Sequence, residues 1–206
     1  LYIGINYVGH AQGELKGCHN DVHMMKKFVE SQGFNPGNCK VLMDDGTSEK
    51  PDAKNIRAAF KWLVSDVKAG DSLFMHYSGH GGSAKDDNGD EADGKDETLI
   101  PVDYNTGGGQ IRDDEIFSEI VLPLPQGAQL TVVMDCCHSG SIMDLPYNFE
   151  AGDSQLQQVA NGTISSVPPN AGFSWGKALK VGMKLYEMHK SGAGMMKMAQ
   201  VAATAM

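Results

Sequence analysis

Asp71-Ser72-Leu73-Phe74-Met75-His76-Tyr77-Ser78-Gly79-His80-Gly81-Gly82 is an apolar run that stops on small residues around one imidazole. Asp71–Tyr77 reads as a buried β-strand and the glycines as the turn that ends it. A second stretch is built the same way: Gln129–Asp135 is strongly apolar and breaks at Asp135-Cys136-Cys137-His138-Ser139-Gly140. In open parallel sheets, functional groups collect at the carboxyl ends of strands, where loops present them to one crevice. One such end here offers a histidine and the other a cysteine.

The rest of the chain supports a sheet around these two strands. Leu1–Tyr7 reads as a strand. Asn20 or Asp21 can cap a helix with Val22, Met25, Phe28 and Val29 on one face, stopping near Gly33. Cys39–Met43 is a short strand. Asp52 precedes an amphipathic helix carrying Ile56, Ala59, Phe60, Leu63 and Val67, closed by Gly70. A short strand is expected around Leu99–Val102, and Asp113 or Asp114 starts a helix through Ile120. Strands alternating with helices predict an α/β fold: a parallel, doubly wound sheet with helices on both faces. Residues 1–147 form the expected domain. Residues 148–174, rich in Gly, Ser, Asn, Gln and Pro, read as a linker or loop, and 175–206 as a helical segment.

Composition narrows the function classes. A chain of 206 residues with 41% hydrophobic and 21% charged content suits one globular α/β domain. Net charge of −9 argues against nucleic-acid or anionic-membrane partners, which need a basic face. There is neither an apolar run of bilayer length nor a signal-peptide pattern. The chain opens on Leu1-Tyr2-Ile3-Gly4-Ile5 without an initiator Met, so an upstream leader or pro-segment stays open. The four cysteines (Cys18, Cys39, Cys136, Cys137) include an adjacent pair that would bridge only under strain. Reduced thiols in a cytoplasmic enzyme are expected.

A cysteine nucleophile needs a base that raises its thiolate fraction. His80, in the glycine turn, is the best candidate among seven histidines. His76 lies inside the strand and reads as a satisfied core residue, and His138 adjoins the cysteine, where consecutive side chains at a strand end tend to point apart. The N–H groups of Gly81 and Cys137 are candidates for an oxyanion hole. Zinc is the competing reading of Cys18, His19, His23 and Cys136-Cys137-His138, but no C-x-x-C knuckle is present. The acidic stretch Asp86, Asp87, Asp90, Glu91, Asp93, Asp96 and Glu97, opposed by Lys95, reads by composition as solvated loop. It is not an EF-hand, since the glycine falls at the wrong position.

His-Tyr-Ser-Gly-His-Gly at 76–81 and Asp-Cys-Cys-His-Ser-Gly-Ser at 135–141 resemble the paired signatures of metacaspases, in the caspase-like clan of cysteine peptidases. Leu15-Lys16-Gly17-Cys18-His19-Asn20-Asp21-Val22 resembles that family's first loop, and the likeness runs to about Tyr147. It implies a caspase-like α/β/α sandwich, with His80 as catalytic histidine and Cys137, the second of the pair, as nucleophile. It also implies cleavage of protein or peptide substrates after Arg or Lys, with Asp21 and Asp135 as acidic pocket residues. Two carboxylates would hold a guanidinium by charge-assisted hydrogen bonds. Asp21 could also be a helix cap. Calcium dependence is implied as well, through Asp96, Asp113, Asp114 and Asp144, whose hard oxygens suit that ion.

The family's second, smaller subunit-like region has no counterpart in 148–206, which contain no cysteine. The expectation is a catalytic half with one sheet edge open: either the chain is truncated, or it is a short form that takes that region from a partner. The alternative is a calcium-responsive pseudo-peptidase or scaffold. No Lys or Arg occurs between Arg112 and Lys177, so an enzyme cutting after basic residues would not process itself there.

Overall fold

In the computed structural model, the described residues are 1–85, 95–137, 142, 143 and 145. The expected segments 148–174 and 175–206 lie outside them. The described elements are β1 (Tyr2–Gly4), α1 (Cys18–Ser31), β2 (Val41–Met43), α2 (Ala53–Val64), β3 (Ser72–Ser78), β4 (Gly81–Lys85), β5 (Lys95–Leu99), β6 (Ile111–Arg112), α3 (Asp113–Ile116) and β7 (Gln129–Asp135).

Four strands form a parallel sheet in the order β2-β1-β3-β7. Side chains alternate across it and divide the core in two. Ile3 of β1 and Leu73, Met75 and Tyr77 of β3 pack with Ile56, Ala59, Phe60 and Leu63 of α2. Tyr2, Met43 and Phe74 meet Val22 and Val29 of α1 on the other face. Helices therefore cover both faces, as a caspase-like α/β fold requires. Each fully buried Ile, Leu or Phe contributes roughly 1.5–3 kcal/mol. Among the described residues β7 is the outer strand on its side, and the sheet is not closed.

Several boundaries differ from the sequence reading for local reasons. The first helix begins at Cys18, so Asp21 lies in its first turn and does not cap it. Phe28 is 58% exposed, outside the buried stripe to which its spacing assigned it. Asp52 does cap α2, accepting the N–H of Asn55 at 2.8 Å. That helix ends at Val64, short of Val67, where Ser65 turns extended and Asp66 takes a left-handed φ of 59°. The helix expected from Asp113 starts there and passes at Phe117 into a wider turn ending at Val121.

The larger difference is a second sheet. Strands β4, β5 and β6 pair antiparallel, with Gly81 opposite Leu99 and Ala84 opposite Asp96. Gly81-Gly82-Ser83-Ala84-Lys85 has no apolar alternation, so nothing in its pattern marks a strand. The expected strand at Leu99–Val102 instead ends at Leu99.

Candidate active site

The parallel register places the two chemical strand ends side by side. β3 and β7 pair from Ser72–Gln129 to Ser78–Asp135, and the Gly79 N–H donates to the Asp135 carbonyl at 3.3 Å. His80 and Cys137 thus each follow the last rung by two residues. The approach is closest at Gly81, where a Cβ would lie 1.8 Å from the Cys137 carbonyl oxygen. Only glycine fits against the cysteine backbone there.

His80 is held from three sides. Its N–H donates to the Tyr7 hydroxyl at 2.9 Å, and its carbonyl accepts the Tyr77 hydroxyl at 2.8 Å. The Tyr7 ring lies over the imidazole, centroids 4.6 Å apart. His80 Nε2 is 2.6 Å from the Gly13 carbonyl oxygen. A carbonyl only accepts, so Nε2 carries a proton and, in the neutral ring, Nδ1 keeps the basic lone pair. Gly13 offers that carbonyl from φ +106°, a conformation suited to glycine. Tyr7 also has positive φ, 55°, and its hydroxyl donates to the Ile100 carbonyl at 2.7 Å. Such strain in a bulky residue persists only where its surroundings over-determine it. Neither Gly13 nor Tyr7 was foreseen: a main-chain acceptor leaves no residue-type signal, and Tyr7 read as the end of a strand.

The adjacent cysteines occupy different environments. Cys136 packs against the main core, and burial, then the neighbouring Cys137 and Asp135, push its thiol up to about 11. Cys137 is exposed. At neutral pH Cys136 is a protonated, partly buried thiol.

Asp21 and Asp135 come together around Ser78. In-register parallel neighbours point to the same face, so Asp135 stands beside Ser78 on the α1 side. The Ser78 hydroxyl donates to Asp21 Oδ2 at 3.0 Å. Burial raises the Cys18 thiol, Ser78 opposes this, and both carboxylates add to it. His76, one residue down the same face from Ser78, is 1% exposed, and its Nδ1 has no hydrogen-bond partner among the described residues. It is a core residue, as expected. Burial lowers its pKa, while Asp135 and Asp21 pull the other way. Ser78 was missed, although the period of two from His76 places it on this face.

A second acidic group lies at the antiparallel sheet. Carboxylate oxygens of Asp96, Asp113 and Asp114 all fall within 4.8 Å of one another, with Asp96 and Asp113 buried. Asp113 accepts the N–H groups of Glu97 and Asp114, each at 2.8 Å, and Arg112 pairs with Asp96. Burial pushes the Asp113 carboxyl up to about 8; the two N–H bonds oppose it, and the charges of Asp114 and Asp96 add to it. This all-oxygen donor set fits a hard dication. Asp144 lies outside the described residues. Of the zinc candidates, His19 Nε2 is engaged with Asp44 at 2.6 Å. The described residues contain no metal-like cluster of cysteine and histidine. No helix among them is long and apolar enough to cross a membrane.

Comparison with known proteins identifies the family. Residues 1–146 match the family described as the metacaspase peptidase C14 domain. Metacaspase III c of Phaeodactylum tricornutum is 51% identical over 153 residues, 73% of this chain and 45% of that protein. Metacaspase-1 of Mycosarcoma maydis is 50% identical over 149 residues, 71% of this chain and 37% of that protein. The chain thus spans less than half the length of these curated relatives. A crystal structure of a Geobacter sulfurreducens protein superposes with a TM-score of 0.52 at 26% identity, covering 79% of this chain and 61% of that one. On sequence match, fold and the paired strand ends together, the chain belongs to the metacaspase family of C14 peptidase domains.

Proposed function

We propose that the chain carries the catalytic machinery of a cysteine endopeptidase that cuts after Arg or Lys and is promoted by calcium. The observation that carries this reading is the Gly81 backbone pressed against Cys137, next to a His80 whose ring is already oriented.

In this mechanism His80 Nδ1 takes the Cys137 proton and the thiolate attacks the scissile carbonyl carbon. The N–H groups of Gly81 and Cys137 stabilise the tetrahedral oxyanion. His80 then protonates the leaving amine, leaving an acyl-enzyme that water hydrolyses. Asp21 and Asp135, flanking Ser78, supply the negative site for a guanidinium or ammonium group.

Asp96, Asp113 and Asp114, with Asp144 as a further candidate, would hold calcium. Bound there, the ion would neutralise crowded carboxylates and stiffen the β4–β5 hairpin. Asp96 pairs with Ala84 in that hairpin, and Gly81 is its first residue. The complementing small-subunit-like region belongs to the same proposal.

Cleavage of a reporter peptide with Arg before the fluorophore, with and without calcium, tests it. Calcium-dependent release by the wild type, absent in Cys137→Ala and with an Asp-reporter, is expected. No release at any calcium concentration favours the scaffold.

A further inference from the structure

We infer that Asp44 is a positioning residue for the dyad: it clamps the loop between β1 and α1 that carries both of the contacts orienting the His80 ring. The inference rests on His80 being the base for Cys137.

Asp44 directly follows β2 and its side chain is 7% exposed. Oδ1 accepts the Asn6 N–H at 2.8 Å and faces His19 Nε2 at 2.6 Å, while Oδ2 accepts the Val8 N–H at 2.9 Å. One carboxylate thus joins both ends of the loop, where it leaves β1 and where it enters α1. Asn6 closes the loop a second time. Its carbonyl accepts the Leu15 N–H at 2.7 Å, and its side-chain oxygen accepts the Cys18 N–H at 3.1 Å.

Between these clamps lie Tyr7, whose ring covers the imidazole, and Gly13, whose carbonyl faces Nε2. Tyr7 sits between Asn6 and Val8, the two residues whose amides Asp44 holds. The positive φ of Tyr7 would relax if those amides were released. Burial would raise the Asp44 carboxyl, but His19 and the two amides outweigh it and hold it below its ordinary value. A charged acceptor suits three donors, which a neutral amide side chain cannot reproduce. Asp44 touches neither the substrate site nor His80, so its effect must pass through the loop.

The test is peptide-resolved iodoacetamide labelling of Cys137 in the full chain at pH 7, beside ¹⁵N NMR of the His80 ring. His80→Ala comes first: an unchanged Cys137 rate would remove the dyad reading and this inference with it. Given a slow His80→Ala, Asp44→Asn is expected to label Cys137 about 10-fold more slowly, part of the ~10²–10⁴ that a positioned base provides. Cys39 should label at the wild-type rate, and the His80 signals should move from the Nε2–H form to a tautomer mixture. A wild-type Cys137 rate in folded Asp44→Asn overturns the inference while the dyad stands. If Asp44→Asn does not fold, His19→Ala removes one donor and is expected to slow labelling about 3-fold; no slowing overturns the inference.

Discussion

The carbonyl oxygen of Gly13 lies 2.6 Å from Nε2 of His80, across 67 positions of sequence. This contact fixes which ring nitrogen is the base. In ¹⁵N spectra of the neutral ring, Nε2 is predicted to resonate as protonated and Nδ1 as bare. A protonated Nδ1 would contradict the orientation described for the dyad.

Gly81 allows the two strand ends to meet. In Gly81→Ala the added methyl would fall 1.8 Å from the Cys137 carbonyl oxygen, a backbone atom that cannot rotate away. Separating the strand ends should cost about 1–3 kcal/mol of stability, as overpacking does. Cys137 labelling should slow to the His80→Ala rate. Unchanged melting and labelling would show that the approach is looser than this.

The adjacent thiols should differ in reactivity. Cys136, half-buried against the core and pushed up to about 11, is predicted to resist iodoacetamide at pH 7–8 while Cys137 is labelled. Peptide mass spectrometry distinguishes them. Preferential labelling of Cys136 in the folded chain would reverse the assignment of the nucleophile.

His76 gives a pH signature. Burial lowers its folded pKa below the ordinary 6.5, so the unfolded chain binds the proton more readily. The stability it contributes is complete above pH 6.5 and is lost as pH falls from there toward the folded pKa. Denaturant titrations should show this decline, and His76→Phe should flatten it. A steeper decline in the variant would mean that Asp21 and Asp135 dominate the site.

Much of this was legible in the residues, because the two decisive strands are long, apolar and ended by glycines. β7 has the expected bounds, and β3 differs by one residue at each end. The antiparallel sheet was not legible: Gly81–Lys85 takes its strand conformation from pairing with β5, not from propensity. Asp21 read as a possible helix cap until the helix proved to start at Cys18. The loop that orients His80 acts through the Gly13 carbonyl and the amides of Asn6 and Val8, and main-chain groups are the same in every sequence. Asp44 carries no pattern either, since its partners come together only after β1, β2 and α1 have packed.

The most direct measurement is covalent capture at the nucleophile. A peptidyl-arginine acyloxymethyl ketone is incubated with the full chain in calcium, and the modified residue is located by mass spectrometry. An adduct on Cys137 is expected, lost in His80→Ala and not formed with the aspartyl analogue. An adduct on another cysteine, or equal capture by the arginyl and aspartyl reagents, would contradict it.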